Sequence, residues 1–469
     1  MKIKKDNVLI YGAGVAGAQI VNKEIFNNYR IKGFIDDDDS KIGEKLNGIS
    51  IIGKSEIEHY IKNLKINKII IAIPSIKEDK LNGIIDFISD FNVKIEILPR
   101  IFSRDGKIFE DLLIPINLES LIGRTPINPK RDLLLQDIED KNILITGAGG
   151  SIGTVIAQIA SENNPKSITL VDNSEFALYK IDKTINEISH GKFEITSKVC
   201  DISREEDIKD IFKFNSFDTI YHSAAYKHVP ILENNIVQAA RNNIIGTFNL
   251  IEAAKKDKSK KFVLISTDKA VRPTNVMGAT KRFCELLLQC QDNKGVIFTM
   301  VRFGNVLGSS GSVIPLFKKQ IAAGGPLTVT SKKATRYFMT IKEASELVIQ
   351  AASMAKGGEV FLLDMGSPVN IYELAQKMIT AYGYSNNCDD DKYIKIEITG
   401  LRPGEKTVEE LLVGNNQEQT QHKNIFMSNE PHFSLKKMNS KYELIKSAIE
   451  NIDSQIILKI LRETVDGYT

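Results

Sequence analysis

Asn142-Ile-Leu-Ile-Thr-Gly147-Ala-Gly-Gly150-Ser-Ile-Gly153 reads as a buried strand that runs into a glycine-rich turn and opens a helix. Glycines at 147, 150 and 153 permit the tight turn and let backbone N–H groups approach a pyrophosphate at the helix N-terminus. The next strand, 167–172, ends in Asp172, an acid 19 residues after Gly153. A carboxylate there can hydrogen-bond both ribose hydroxyls and repels a 2′-phosphate, so NAD is favoured over NADP. The following residues, Asn173 to Phe176, carry no Arg or Lys, in agreement with that choice.

The pattern continues in both directions. Val199-Cys-Asp201-Ile202 ends a third strand, where an acid can meet the adenine amino group, and 218–225 is a fourth. Small residues at its end, Ser223-Ala224-Ala225, let the backbone pass close under a dinucleotide. His222 reads as a packed strand histidine, with no role derivable from spacing. Nearer the N-terminus, Asn7–Gly12 is a strand followed by Gly12-Ala-Gly14-Val-Ala-Gly17, helix-like sequence to about Asn28 and a strand ending at Asp36. This is GxGxxG in strand–turn–helix context. Asp36 opens a run of four aspartates that serves equally as a ribose acid or a solvated turn. Strands at 69–74 and 93–98 complete a small doubly wound unit.

Length and composition bound the rest. A chain of 469 residues is expected to form two domains or more, and 42% hydrophobic with 26% charged residues is a globular balance. A net charge of +3 gives no case for nucleic acid. Cys200, Cys284, Cys290 and Cys388 are scattered without CxxC or metal-ligand spacing, which argues for a reducing compartment and no metal. No apolar run approaches the ~18 residues of a membrane span. The expected fold class is α/β with two Rossmann-like doubly wound parallel-sheet domains: 1–125, a linker at 126–140, a catalytic domain with a small substrate lobe at 141–430, and a helical tail at 431–469; 123–130, with two prolines and a glycine, reads as extended linker sequence across the first boundary. Strands at 360–365 and 394–399, with a helix at 370–382 between them, are assigned to the lobe. The tail is expected to be helical from Ser440 to Val465.

Chemistry is expected where the strand 261–267 runs out, at Ser266-Thr267-Asp268-Lys269. Hydroxyl, carboxylate and ammonium groups side by side at a carboxyl strand end form an acid/base set. Met277 and Lys281, four apart, share a face of the next helix.

GxxGxxG, His222-Ser-Ala-Ala225, Asn242-Asn243 and a Ser/Thr strand end before xxxxLys resemble the extended short-chain dehydrogenase superfamily. More narrowly, 172–179, 225–230, 301–315, 335–340 and Leu401-Arg-Pro-Gly-Glu-Lys406 resemble the CapD-like UDP-N-acetylglucosamine 4,6-dehydratases of bacterial surface-glycan synthesis. The likeness covers about residues 5–415. It implies an NAD site of Gly147, Gly150, Ser151, Ile152, Gly153, Asp172, Asn173, Ser174, Asp201, Ile202, Ala224, Ala225, Lys227, Asn242 and Lys281. Toward a UDP-sugar it implies Lys227, Asn305, Ser309, Val313, Arg336 and Arg402, the arginines suiting a diphosphate. The long members carry transmembrane helices ahead of the same extra domain. A cytoplasmic protein, or the cytoplasmic part of an inner-membrane one, is therefore expected, as is a homo-oligomer.

Most short-chain dehydrogenases use Tyr-x-x-x-Lys, with Lys lowering the Tyr pKa. Here Met277 stands in the Tyr place, and a thioether is neither acid nor base. The long dehydratases carry Met there as a family, so Thr267 and Asp268 become the candidates for the C4 hydroxyl proton. The implied reaction moves hydride from sugar C4 to NAD, eliminates water across C5 and C6, and returns hydride to C6. By likeness, Lys269 is the C5 base, neutral when it acts, Asp268 is the acid at the C6 oxygen, and Lys281 binds the nicotinamide ribose. Two rivals stay open: an epimerase that stops at the 4-keto stage, against which Asp268-Lys269 speaks, and a non-catalytic nucleotide-sugar sensor, which Met277 allows.

Overall fold

The computed structural model describes residues 6–21, 29–73, 76, 78–89, 91, 93–97, 114–115, 122, 124, 127–213, 216–257, 259–292, 295–309, 311–382, 384–385, 393–410 and 417–468. The chain divides into two compact units. One comprises Met1–Thr125, Val313–Lys333 and Val369–Gly400, and the other Pro126–Ser312, Ala334–Pro368 and Leu401–Thr469.

In the first unit the described strands form one sheet in the order Lys45–Leu46, Ile49–Ile52, Tyr29–Ile35, Asp6–Tyr11, Lys68–Ile71, Lys94–Ile97, Ile114–Pro115. The strands from Ile49–Ile52 through Lys94–Ile97 run parallel. Val8–Tyr11 and Ile69–Ile71 are buried throughout, as strands covered on both faces must be. The glycine turn closes on the acid, with Ala13 N–H donating to Asp36 Oδ2 at 2.8 Å. Asp38 instead accepts from the Ser40 hydroxyl and amide, so the aspartate run is split between loop and turn. The helix after the turn is Val15–Val21; its expected continuation to Asn28, and Pro74 and Leu98 of the expected strands, lie outside the described residues. Residues 369–400, read from the sequence as part of the substrate lobe, group with this unit. Ile396–Ile398 pairs with Leu327–Val329, and helix Ile371–Ala381 packs its buried face on helix Glu78–Ser89 and strand Lys94–Ile97.

In the second unit the described strands form a sheet in the order Glu194–Val199, Ser167–Asp172, Asn142–Thr146, Thr219–His222, Lys261–Ile265, Ile297–Arg302, Val360–Leu363, Ile425–Ser428, Glu418–Gln419. The first seven are parallel, and the last two are added antiparallel. The order reverses at Asn142–Thr146, so a crevice opens beyond the carboxyl ends of this strand and Thr219–His222, where open α/β sheets bind ligands. Three expectations are corrected. Val360–Leu363 is a fully buried strand of the main sheet, not of a separate lobe. Arg131–Gln136, placed in the linker, is a helix that buries Leu133 and Leu134, and Leu133 O accepts from Ser353 Oγ. The C-terminal helix is two, Leu435–Glu450 and Ser454–Thr464, because Ile452 turns through φ +54° and Asp453 caps the second through Ile456 N–H at 3.0 Å.

These two helices lay Met438, Tyr442, Ile445, Ile457, Ile460 and Leu461 into the same core as Phe262, Leu264, Phe283 and Met300. Helix Val276–Gln289 lies beneath them, and every residue in it except Arg282 is buried. Cys200, Cys284 and Cys290 are free and buried, and Cys388 lies outside the described residues. Among the described residues no helix is long and apolar enough to cross a membrane.

Candidate active site

The glycine turn after Asn142–Thr146 is built without room for side chains. Gly147 has φ +66°, and a Cβ on it would lie 2.7 Å from the Ala224 backbone; a Cβ on Gly153 would lie 2.2 Å from Gly147 O. Asp172 ties the turn down, its Oδ2 accepting from Gly149 N–H and its Oδ1 from Ser174 N–H, both at 2.9 Å. Helix Ser151–Ser161 starts at Gly150 with no side-chain cap and no acid in its first turn. By contrast Ser174 and Asn275 cap the helices they precede. A helix start left uncapped beside a cramped glycine turn suits an anion held by first-turn amides. The residues present therefore fit a dinucleotide.

Other residues expected around a cofactor divide into rim and scaffold. Asn173 and Asp201 are exposed, with Asp201 Oδ1 taking the Ser203 amide and hydroxyl. Ile202 is core: its side chain lies against Gly246, and its carbonyl accepts from Asn249. Ala224 and Ala225 are half-buried at the strand exit, and Lys227 is exposed beyond them. Asn242 is buried and donates to Asn243 Oδ1 at 3.0 Å. Asn243, part of the quoted motif but given no site role from the sequence, clamps the Tyr226 backbone from both sides with its amide (2.9 and 3.2 Å) and reaches Thr280 Oγ1. Both asparagines sit in a π-helical turn, Arg241–Ile245, a local irregularity that often marks functional sites.

His222 is a buried strand histidine, as its position suggested. Thr247 gives its hydroxyl proton to Asn243 O at 2.6 Å, so Nε2 must donate to Thr247 and Nδ1 must accept from Thr146. Burial, with Lys281 nearby, pushes it down to about 3, so it stays neutral.

At the end of Lys261–Ile265 the chain turns through a short 3-10 segment, Asp268–Ala270, capped by Thr267. The Thr267 hydroxyl donates to Asp268 Oδ1 at 2.9 Å, and Lys269 Nζ lies 3.0 Å from the same oxygen. Asp268 is 1% exposed, and its Oδ2 is buried without a hydrogen-bond partner among the described residues. Lys269 Nζ also reaches Asn305 Oδ1 at 3.3 Å and Glu409 Oε1 at 3.6 Å. Burial alone would lower the Lys269 ammonium, but the Asp268 and Glu409 carboxylates win and hold it above the ordinary lysine value. Lys269, which the likeness requires to be neutral when it acts, therefore rests as the ammonium, because the two carboxylates outweigh burial and the opposing charge of Arg336.

Met277 is buried among Leu232, Ala239 and Val276, on the helix that Asn275 caps through Gly278 N–H at 2.8 Å. Gly278 lets that helix pass close to the Thr-Asp-Lys turn, since a Cβ there would lie 2.1 Å from Lys269 O. Lys281 is buried one turn on and donates to Ile265 O at 2.6 Å; burial lowers its ammonium.

The structure gives the two arginines different situations. Arg336 is buried and engaged, donating to Thr335 O, Thr407 O and Glu405 Oε1 (2.7, 3.1 and 2.8 Å). Arg402 is exposed, and its side chain makes no ion pair among the described residues while its amide donates to Glu405 Oε2. Ser309 is buried, and Gly308 and Gly311 near it have φ +73°. Val313 opens a helix, Val313–Ala322, of the first unit.

Behind the site lies a buried ion network that sequence reasoning missed. Arg302, fully buried, holds Glu285 through Nε and Nη2 (2.8 and 2.7 Å) and Glu430 through Nη1 and Nη2 (2.6 and 2.8 Å). Arg282 joins both acids at 2.9 Å, and the Ser266 hydroxyl donates to Glu285 Oε1 at 2.6 Å. Strand exit, Met277 helix and C-terminal segment are thereby locked together.

Comparison with known proteins agrees with this geometry. The "Polysaccharide biosynthesis protein" family profile matches residues 143–430, and the "C2185-like, N-terminal" profile matches 4–89. The chain is 39% identical over 468 residues to "Capsular polysaccharide biosynthesis protein CapD" of Staphylococcus aureus, covering 98% of this chain and 77% of that one. It is 33% identical to a "UDP-glucose 4-epimerase" of Rickettsia bellii (58% of this chain, 78% of the relative). It is 31% identical to the "UDP-N-acetylglucosamine 4,6-dehydratase (inverting)" of Campylobacter jejuni (59% and 78%). Among solved structures, Pen from Bacillus thuringiensis is similar at 36% identity and TM-score 0.56, covering 63% of this chain and 89% of that one. The chain therefore belongs to the polysaccharide biosynthesis protein family, as a CapD-like member of the extended short-chain dehydrogenase enzymes.

Proposed function

We propose that this protein is an NAD-dependent UDP-N-acetylglucosamine 4,6-dehydratase that yields a UDP-4-keto-6-deoxy sugar. The observation that carries this reading is the pair of buried Asp268 and half-buried Lys269 with Asp268 Oδ2 left unpartnered among the described residues, beside a methionine where a redox-only enzyme of this type would carry tyrosine. A buried polar atom without a partner calls for an explanation, and a substrate hydroxyl would satisfy it. Bound NAD would supply the hydride acceptor and donor that keep the overall reaction redox-neutral.

The chain's own residues would handle the protons. The resting pair is Lys269 ammonium and Asp268 carboxylate. Transfer of one proton along their 3.0 Å contact gives a neutral amine and a neutral acid together. A desolvating substrate favours that neutral pair, because low dielectric penalises separated charges. Lys269 then takes the C5 proton, while Asp268 gives its proton to the C6 oxygen, which leaves as water. Thr267, hydrogen-bonded to Asp268, is placed to relay the C4 hydroxyl proton. Arg402, exposed and without an ion pair among the described residues, is the better diphosphate candidate; Arg336 would first have to release Glu405.

The test is mass spectrometry of UDP-N-acetylglucosamine after incubation with the protein and NAD. Loss of one water without accumulated NADH is expected. An unchanged mass with an altered C4 configuration would favour the epimerase, and binding without change would favour a sensor.

Gly153→Ala tests the cofactor site. Its Cβ, 2.2 Å from Gly147 O, would force the turn open. NAD affinity by titration calorimetry should fall at least about tenfold, about 1.4 kcal/mol, with the fold retained. Unchanged affinity would move the dinucleotide elsewhere.

A further inference from the structure

Glu409 belongs to no role read from the sequence, yet it is 5% exposed and its carboxylate completes the surroundings of Lys269. Asp268 Oδ1 at 3.0 Å, Asn305 Oδ1 at 3.3 Å and Glu409 Oε1 at 3.6 Å give the nitrogen three oxygen neighbours, as many as an ammonium has hydrogens. The charged groups acting on it are Asp268, Glu409 and, with opposite sign, Arg336. The segment that presents Glu409 is fixed at several points. Lys406 Nζ donates to Val271 O at 3.0 Å, and Gly404 O accepts from Thr274 Oγ1 and Asn275 Nδ2 at 2.8 and 3.1 Å. Thr407 O takes the Arg336 guanidinium and the Thr335 amide. Gly404 has φ +74°, and a Cβ on it would lie 2.7 Å from Asn275 Cβ, so this strap lies directly against the loop between Lys269 and Met277.

Resting on the dehydratase reading, we propose that Glu409 is a positioning residue for Lys269: Asn305 accepts one N–H, the Glu409 carboxylate draws a second toward itself as an ion-pair neighbour at 3.6 Å, and the third is the one exchanged. In the forward step that third N–H breaks and an O–H forms on Asp268, leaving an amine lone pair. The sugar C5–H then breaks, its proton forms a new N–H on Lys269, and its electron pair passes into the carbonyl-conjugated system as the C6–O bond breaks. Glu409 exchanges no proton in this sequence, and its carboxylate favours the ammonium that the second step regenerates. Asp268 is consumed as an acid, whereas Glu409 acts through its charge on Lys269. That separates their roles.

The test uses the full chain and the variants Glu409→Gln and Glu409→Asp. Lys269 is first labelled with trace acetic anhydride across pH, without substrate or NAD, and the labelled peptide is quantified by mass spectrometry. A charge neighbour at this range moves a titration by about one unit or more. Glu409→Gln should therefore shift the half-labelling pH of Lys269 down by about one unit, with Glu409→Asp close to wild type. In turnover, Glu409→Gln should lower kcat for dehydration by about 10–100-fold with KM nearly unchanged, the pattern of an interaction made on the reaction path. It should also move the rising limb of C5 solvent-deuterium exchange to lower pH. An unmoved labelling midpoint in a folded Glu409→Gln protein overturns the proposal, as does equal loss in the Gln and Asp variants. A wild-type chain inert toward UDP-N-acetylglucosamine overturns the dehydratase reading instead, and the labelling experiment, run without substrate, tells the two failures apart.

Discussion

Asp268→Asn should lower the dehydration rate by about 10²–10⁴-fold, the usual contribution of a positioned acid or base, while NAD remains bound. The carboxylate receives both the Thr267 hydroxyl and the Lys269 ammonium on Oδ1. An amide of the same shape cannot take up the lysine proton, so neither the amine base nor the acid at C6 can form. Its NH₂ would also face either the buried ammonium or the unpartnered Oδ2 position, while the glycine turn at 147–153 is untouched. Lys269→Ala should fail at the same stage, with C5 deuterium exchange lost. The measurements are product mass and bound dinucleotide by absorbance after gel filtration. Near-normal turnover in either variant would sink the assignment.

The largest stability effect is expected at Arg302. Removing one partner of a buried ion pair typically costs about 3–5 kcal/mol, because the remaining charges stay buried and uncompensated. Arg302→Leu strands Glu285 and Glu430 with only Arg282 between them. The local opening energy of the Lys261–Ile265 strand, read by hydrogen exchange, should fall by that amount. Loss below about 1 kcal/mol would show that the network is not stabilising. Acid titration gives a second reading. Burial would raise Glu285, but Arg302 and Arg282 overcome it and hold the carboxyl at about 2, below its ordinary 4.5. A depressed folded pKa contributes stability that is fully present above about pH 4.5 and is lost as pH falls toward about 2. Wild type should weaken across that window, and Glu285→Gln should lack this component.

Much of the site was legible before folding was considered. The glycine turn at 147–153 needs positions without a Cβ close to other backbone, and that demand is written in the spacing itself. The same holds for Asp172, which lies at the end of the adjacent strand, and for Thr267-Asp268-Lys269, whose mutual contacts are between sequence neighbours. Met277 at the tyrosine place was visible for the same reason.

What folding alone decided is the company those residues keep. Nothing near Lys269 in sequence announces Glu409, and nothing near Arg302 announces Glu430, 128 residues away. Arg336, read as a diphosphate candidate, is held by Glu405 and backbone carbonyls. Val360–Leu363 and Ile425–Ser428 extend the main sheet because a buried apolar edge accepts any strand the chain can bring to it. Sequence determined the glycine turns and the candidate acid/base residue types, since these depend on neighbours along the backbone. Tertiary structure decided the charge of Lys269 and the anchoring of its strand, because Coulomb interactions and burial depend on distance in space, which residue spacing does not record.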